Sequence, residues 1–350
     1  MFASSSARTL SAVLIAVASL FWQPAALAQD AGQAGDHQPG RGWQIPGTGL
    51  HLGGYITASY ENVQGSASHV GIEDISLFVH WENAGRLRLF SEFSLEDPIV
   101  YSPLTVSRTG HPYLALERLY GDYLFSDALN LRAGKFLTPI GRWNVIHAGP
   151  LVWTTSRPLI TERTFPTNAT GAMAYGTVPL FGKPVDYSLY SAIGHDWRPD
   201  PKLDPFTEAY GMHATVPVTA SSELGFSLAS FEQRSAAGER RNLLGLDYFW
   251  SRNRYELSAE AAYRFSQDGS RFDEKGLFVQ GVAPLSQRIY AVGRYEYFDP
   301  AGPTHGVHLW LLGLAMKPVP QLVLKMEVRE GSNRQSVAPD GVLASLSVLL

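Results

Sequence analysis

The sequence predicts an all-β protein, a transmembrane antiparallel β-barrel of about sixteen strands with a long third loop that folds inward. Three observations lead to this fold class. Stretches of about 10 residues alternate apolar and polar side chains, short and long connections alternate between these stretches, and one connection is far longer than the others. A closed barrel also gives every backbone N–H and C=O in a bilayer a hydrogen-bond partner.

The first residues of the chain have the pattern of a secretory signal peptide. A single positive charge, Arg8, precedes an apolar run, and the small residues Ala26 and Ala28 stand where a signal peptidase would cut. The apolar run is shorter than the ~20 residues that a helix needs to span a bilayer. We therefore expect residues 1–28 to be removed during export.

The barrel is expected at residues 49–350, after a flexible lead-in at 29–48 that is rich in Gly, Pro and polar side chains. The segment YELSAEAAYRF, residues 255–265, shows how a strand is recognised. Ala, Glu and Leu favour a helix, yet every second residue from Tyr255 to Phe265 is apolar. The segment alone fits either structure, and the matching period of its neighbours decides for a strand.

Sixteen segments share this length and alternation, although the phase is ambiguous in several. The predicted strands are 50–60, 71–82, 86–96, 113–125, 128–137, 170–178, 184–194, 207–218, 222–232, 240–250, 254–265, 275–283, 288–298, 306–317, 320–330 and 340–350. Strands of this length can cross a bilayer when tilted, with apolar side chains toward lipid and polar ones toward water.

Short and long connections alternate through the whole chain. The short connections are 82–85, 125–128, 178–184, 219–222, 251–254, 284–288 and 318–321. The long connections lie near 61–70, 97–112, 138–169, 195–206, 233–239, 266–274, 299–305 and 331–339. Tight periplasmic turns and longer outer loops produce this rhythm in outer-membrane barrels, whereas a soluble sandwich has no reason to keep it.

The connection at 138–169 is the third long loop, and it exceeds the ~12–15 residues of an ordinary loop. It contains Trp143, Leu151, Trp153 and Phe165, which make it too apolar for a disordered segment. We therefore expect this loop to pack against the rest of the protein.

A signal peptide, sixteen strands and an enlarged third loop resemble the porins of Gram-negative outer membranes. The stretch LRAGKFLTPIG, residues 131–141, runs from a strand into this loop and resembles the phosphate-selective porin family. The resemblance implies a homotrimer in outer-membrane lipid. It also implies that the third loop narrows a water-filled channel for small hydrophilic solutes or anions such as phosphate.

The candidate constriction residues are the charged side chains of the third loop. They are Arg142, His147, Arg157, Glu162 and Arg163. In a narrow passage of low dielectric constant, this local basic excess would favour anions. An equally weighted alternative is that the arginines pair with carboxylates of the barrel wall and only hold the loop in place.

The candidate pore-wall residues are the charged side chains on the polar faces of the predicted strands. They are Arg86, Arg88, Glu92, Arg241, Asp247, Glu260, Arg264, Arg294, Glu296, Lys325, Glu327 and Arg329. Bases and acids nearly balance in this set. A lysine-rich lining, which the phosphate-selective family would imply, is therefore not evident.

Composition and motifs argue against several other functions. The chain has no cysteine, which excludes a disulfide framework, a thiolate metal site and a cysteine nucleophile. Its net charge of −4 gives no reason to expect nucleic-acid binding. No motif indicates a cofactor, a metal site or a catalytic centre, so we expect a non-enzyme. Two alternatives stay open: an outer-membrane barrel hydrolase with residues drawn from distant strands, and a closed structural or adhesion barrel.

Overall fold

The structure is a computed structural model. It describes residues 37–38, 42–102, 112–146, 148–193, 196–198, 204–267, 273–302, 305–332 and 337–350. The expected signal peptide, residues 1–28, lies outside the described residues, and its cleavage stays a prediction.

Sixteen long strands follow one another as an antiparallel meander, each hydrogen-bonded to the next. They are β3 (Leu50–Val63), β4 (His69–Glu82), β5 (Leu87–Tyr101), β6 (Tyr113–Ser126), β7 (Leu129–Leu137), β8 (Asn168–Leu180), β9 (Lys183–Ile193), β10 (Phe206–Thr219), β11 (Ser222–Gln233), β12 (Arg241–Arg252), β13 (Tyr255–Ser266), β14 (Glu274–Pro284), β15 (Ile289–Asp299), β16 (Val307–Val319), β17 (Leu322–Gly331) and β18 (Gly341–Leu349). Every predicted strand is present, and the segment 255–265 lies within β13.

The last strand closes the sheet onto the first. β18 runs antiparallel to β3, from the pair Gly341 and Val63 to the pair Leu349 and Tyr55. The prediction of a closed, sixteen-stranded antiparallel barrel is therefore confirmed. Pairing of β18 with β3 joins the two end strands, as the requirement that backbone polar groups be paired demands of a sheet in a bilayer.

A short N-terminal strand completes the seam of the barrel, the place where β18 meets β3. β18 covers β3 only from Tyr55 to Val63, and β2 (Gly42–Ile45) pairs with the uncovered start of β3 through Trp43 and Leu52. β2 in turn pairs with β1 (His37–Gln38). The structure differs here from the flexible lead-in that the composition at 29–48 suggests. The start of β3 offers unpaired backbone groups, and strand pairing there outweighs local composition.

The two faces of the barrel have opposite chemistry. On β17, Met326 and Val328 point outward with 48% and 54% of their surface exposed, whereas Lys325 and Glu327 point inward with 4% and 2% exposed. This arrangement inverts that of a water-soluble protein, in which apolar side chains are buried and charged ones are exposed.

The short connections between the long strands are tight turns. The two-residue turns Phe181-Gly182 and Asn253-Arg254 have positive φ at both positions, 51° and 76° in the first and 52° and 70° in the second. Two consecutive positive φ angles match the type I′ turn, whose twist fits an antiparallel hairpin. The longer connections alternate with these turns, as the sequence predicts.

Within the described residues, helical structure is limited to short pieces. Two 3₁₀ turns, Trp143–Ile146 and Arg234–Ala236, and one α-helix, α1 (Leu159–Arg163), lie in the connections. Among the described residues, no helix has the length and apolar character needed to cross a membrane.

Gly42 tests the contribution of β2 to the seam. Its φ is +82°, and a Cβ built there would lie 2.1 Å from the carbonyl oxygen of Leu52. Gly47 has a similar φ of +76° but nothing within 4 Å of its Cβ position, so it is the matched control. Both substitutions to Ala add backbone strain, but only Gly42→Ala also forces β2 away from β3.

We expect Gly42→Ala to lower the free energy of unfolding by about 1–3 kcal/mol more than Gly47→Ala. Denaturant titration of the folded protein in lipid vesicles measures this difference. Equal losses in the two variants would contradict a structural role of β2 in the seam.

Candidate functional site

The third loop connects β7 to β8 and is closed at its base. The backbone N–H of Thr138 donates to the carbonyl of Thr167 at 2.8 Å, and the hydroxyl of Thr138 donates to the carbonyl of Pro166 at 2.8 Å. The fully buried Asn144 side chain donates to the carbonyls of Thr138 and Thr167 at 2.8 and 3.0 Å. The two ends of the loop are therefore held together by hydrogen bonds, and the other residues of the loop lie between them.

Glu260, on the inner face of β13, binds the first part of the third loop. One carboxylate oxygen accepts the backbone N–H groups of Arg142 at 2.9 Å and Trp143 at 2.5 Å. The N–H of Gly141 donates to the hydroxyl of Ser227 on β11 at 3.1 Å. The Glu260 side chain thus satisfies two backbone donors that have no acceptor among the described residues of the loop itself.

Two further glutamates on alternate strands hold the rest of the loop. The carboxylate of Glu327 on β17 accepts the backbone N–H groups of Thr155 at 2.8 Å and Ser156 at 2.9 Å. The carboxylate of Glu296 on β15 accepts the N–H of Leu159 at 2.7 Å, at the start of α1. Wall carboxylates therefore replace the backbone acceptors that a loop without regular structure lacks.

Arg294, also on β15, crosslinks the loop to the wall. Its guanidinium is 2% exposed and donates to the Thr154 hydroxyl at 2.7 Å, the Ser156 hydroxyl at 2.7 Å and the Ser156 carbonyl at 3.0 Å. Its Nε donates to Glu296 at 2.7 Å. The Arg294–Glu296 ion pair therefore lies beneath the loop, and its hydrogen bonds connect the loop to the wall.

Lys325 and Glu256 also contact the third loop. The Lys325 ammonium donates to the carbonyls of Gly149 at 2.8 Å and Thr154 at 3.2 Å. The indole N–H of Trp153 donates to the carboxylate of Glu256 at 2.6 Å. Among the predicted wall residues, Glu260, Arg294, Glu296, Lys325 and Glu327 thus all contact the third loop.

Arg142, one of the predicted constriction residues, is engaged with the barrel wall. Its guanidinium forms an ion pair with Glu223 at 2.9 Å and lies 3.8 Å from the ring centroid of Phe249. These contacts match the alternative in which a loop arginine pairs with a wall carboxylate. His147 lies outside the described residues.

Arg157 is packed within the loop itself. Its guanidinium donates to the side-chain oxygen of Asn144 and lies 4.9 Å from the ring centroid of Trp143. Burial lowers the pKa of Arg157 to about 10. Glu162 and Arg163 are exposed in α1, and neither forms an ion pair with another residue in the described parts of the chain.

The remaining wall candidates form separate pairs around the barrel. Arg264 pairs with Glu274 at 3.1 Å and donates to the Thr164 carbonyl of the loop at 3.0 Å. The buried carboxylate of Asp247 lies 3.8 Å from His213.

Two more pairs lie away from the loop contacts described above. The fully buried Glu92 pairs with Arg118 at 2.5 Å, and Arg241 pairs with Glu239 at 3.3 Å. Three wall candidates remain near the strand ends, exposed or half-buried: Arg86, Arg88 and Arg329.

Four acidic residues that the sequence pattern does not select border an opening of about 240 Å³ between the loop and the wall. We call them the acidic wall: Glu73, Asp74, Glu96 and Glu117. The opening also contacts Arg157 and Lys325. Two consecutive carboxylates inside an alternating strand, at 73 and 74, are the sequence signal that could have indicated an irregular strand here.

No model of a known protein family matches the chain. An uncharacterized protein of Aquifex aeolicus is 29% identical over 150 residues, and the match covers 42% of this chain and 32% of that protein. The match therefore spans about a third of the relative's length, and the relative's description gives no activity to compare.

Solved structures are similar over most of the chain. The anion-selective porin of Comamonas acidovorans matches with a TM-score of 0.59 at 13% identity, over 86% of this chain and 99% of that one. The outer membrane channel DcaP of Acinetobacter baumannii gives 0.60 at 10% identity, over 91% and 100%. OmpF of Salmonella typhi gives 0.60 at 9% identity, over 87% and 98%.

The chain has the fold of an outer-membrane porin. At these low identities the likeness establishes the fold of the porin-like barrel and leaves its solute open.

Replacing Glu260 tests the anchoring of the third loop. In Glu260→Ala, the amides of Arg142 and Trp143 lose their shared acceptor, and their hydrogen exchange is expected to become roughly 10- to 100-fold faster. Glu260→Gln keeps an uncharged acceptor and should give an intermediate rate. Glu256→Ala, on the same face of β13, is the matched control because its carboxylate contacts Trp153 instead. Unchanged exchange at 142 and 143 in Glu260→Ala would contradict the anchoring role.

Proposed function

We propose that the mature protein is an outer-membrane channel through which small hydrophilic solutes diffuse passively. The observation that carries this proposal is the combination of an apolar outer face with a charged and polar inner face on a closed barrel of sixteen strands. An apolar outer face suits hydrocarbon, and barrels of about this strand number leave an aqueous interior.

The third loop is proposed as the constriction. Its backbone and side chains bond to inner-face residues on β11, β13, β15 and β17, which supports a position across the interior of the barrel. A cavity of about 240 Å³ lies beside the loop and is lined by residues of both the loop and the wall. A homotrimer in outer-membrane lipid belongs to the same proposal, and the resemblance to porins supports it.

An anion preference depends on how much positive charge the loop presents to the solution. One structural neighbour is described as anion-selective, and Arg163 is exposed in α1. Arg142 and Arg157, however, are bound to Glu223 and to Asn144 within the protein. We therefore propose general diffusion of small solutes rather than selective uptake of phosphate.

Planar-bilayer recording tests this function. The purified protein is expected to insert and give discrete conductance steps. Replacing residues 142–163 with a short Gly-Ser linker should raise the single-channel conductance by roughly twofold or more, because the constriction is removed. The bond between Thr138 and Thr167 keeps the ends of β7 and β8 together in this variant.

The matched control replaces residues 234–240, the long connection between β11 and β12, in the same way. This variant should keep the conductance of the unaltered protein. A channel whose conductance did not change on removal of 142–163 would contradict the constriction, and the absence of any conductance in the unaltered protein would contradict the channel.

A further inference from the structure

We propose that a groove on the outer face of the barrel, between β13 and β16, binds one anionic glycerophospholipid. An acyl chain lies over the paired glycines Gly281 and Gly293, and the phosphate lies at the arginines of the adjoining turns. This inference goes beyond the proposed channel. It concerns the surface that faces lipid, and it requires the barrel to lie in a membrane but not to conduct.

The floor of the groove is almost free of side chains. Gly281 of β14 and Gly293 of β15 are direct cross-strand partners. Two residues closer to the turn that joins these strands, Ala283 pairs with Ala291. Side chains at paired positions point to the same face of a sheet, so these four residues form one patch. The patch belongs to a groove of about 690 Å³ whose lining is mainly apolar.

Large side chains border this patch on both sides. Leu257 of β13 is the cross-strand partner of Gly281. Leu312 of β16 is the partner of Gly293 and is 73% exposed. The strands that carry the two leucines are three strand spacings apart, about 14 Å. A groove therefore runs along β14 and β15, with Leu257 and Leu312 as its walls.

The backbone does not require glycine at either floor position. A Cβ built on Gly281 meets nothing within 4 Å, and one built on Gly293 meets only the Leu312 side chain, at 3.8 Å. Neither glycine has a positive φ. Glycine in the interior of a strand weakens the sheet and often marks a place where a ligand approaches the backbone closely. The two glycines therefore indicate that another molecule fills the groove.

Three exposed arginines lie at the turn end of the groove. Arg252 ends β12, Arg254 follows it in the turn to β13, and Arg288 immediately precedes β15. Neither of these two turns contains an acidic residue. We call these three arginines the cationic rim. The groove thus combines an apolar floor with positive charge at one end.

Arg254 connects the two turns. Its guanidinium donates to the carbonyls of Ser286 at 2.7 Å and Gln287 at 2.8 Å. Among the described residues that line the groove, Glu256 is the acidic one, and its carboxylate accepts the indole N–H of Trp153 from the third loop. Glu256 therefore points away from lipid, and the lining that faces lipid offers no carboxylate to the cationic rim.

A glycerophospholipid matches both ends of the groove. Its phosphate lies at the boundary between headgroups and hydrocarbon, the level that turns between transmembrane strands also occupy. Trp250 and Tyr255 line the groove close to the turn, as aromatic residues do at a membrane interface. Guanidinium groups form charge-assisted hydrogen bonds with phosphate.

The charge of the rim also selects among possible occupants. Arginines near a membrane surface without acidic neighbours favour a lipid with net negative charge, and phosphatidylglycerol is the simplest probe. A second copy of the chain fits less well, because its equivalent turns carry the same arginines and supply no anion. The occupant that fits the groove is therefore an anionic glycerophospholipid.

Native mass spectrometry of the full-length mature protein in detergent, titrated with phosphatidylglycerol, measures this binding. We expect one phosphatidylglycerol to bind roughly fivefold or more tightly than one phosphatidylethanolamine. Gly281→Leu should weaken phosphatidylglycerol binding by roughly tenfold, because the new side chain displaces acyl methylenes from the groove. Ala261→Leu, on the outer face of β13 but outside the groove, is the matched control and should leave binding unchanged.

A double variant, Arg252→Gln with Arg288→Gln, tests the cationic rim. It should lower the affinity for phosphatidylglycerol by roughly fivefold or more and remove most of the preference over phosphatidylethanolamine. The matched control is Arg234→Gln, an exposed arginine in the long connection between β11 and β12, which should change neither quantity.

Binding of phosphatidylglycerol that both the glycine and the arginine variants weaken supports the site. Binding that Gly281→Leu leaves unchanged would overturn the groove, and equal binding of the two lipids would overturn the anionic occupant. A lipid-free oligomer that Gly281→Leu dissociates would show that a second copy fills the groove instead. Where Gly281→Leu does not fold, the lipid preference of the unaltered protein and of the arginine variant decides the matter. A protein that binds the lipid but does not conduct would contradict the proposed channel and leave this inference intact.

Discussion

Complete pairing of the backbone is the constraint on which the rest of this structure depends. Each long strand is bonded to its neighbours, β18 closes onto β3, and β2 covers the part of β3 that β18 does not reach. Once the sheet is closed, each side chain of a regular strand points either outward or inward. The apolar outer face and the charged inner face follow from the alternation of side chains along each strand.

The polar inner face carries buried glutamates that need hydrogen-bond donors, and the third loop provides them. Glu260, Glu296 and Glu327 would be costly as isolated buried carboxylates, and the loop supplies backbone N–H groups to them. The loop in turn lacks regular structure and needs acceptors for those groups. The loop N–H groups and the wall glutamates therefore satisfy one another, and wall and loop form one hydrogen-bonded unit. The acidic wall lies beside this unit.

The sequence predicts the strands well because most of each strand alternates apolar and polar side chains. It does not predict β2, because Gly and Pro around residues 42–48 suggest a flexible segment and the partner of β2 is the distant start of β3. It does not select Glu73 or Glu117, because each is an extra residue in a bulge, where alternation fails. The partner of Arg142 is Glu223, 81 positions away, and no spacing rule connects residues so distant in the chain.

Side-chain environments along β13 test the central claim most directly. The chain has no cysteine, so single cysteines at Ser258, Ala259 and Ala261 can each carry one spin label without competing sites. In lipid vesicles, we expect labels at 259 and 261 to collide mainly with oxygen dissolved in the bilayer, and the label at 258 to collide mainly with a water-soluble nickel reagent. Equal access of the nickel reagent to all three positions would contradict a barrel whose outer face meets lipid and whose inner face meets water.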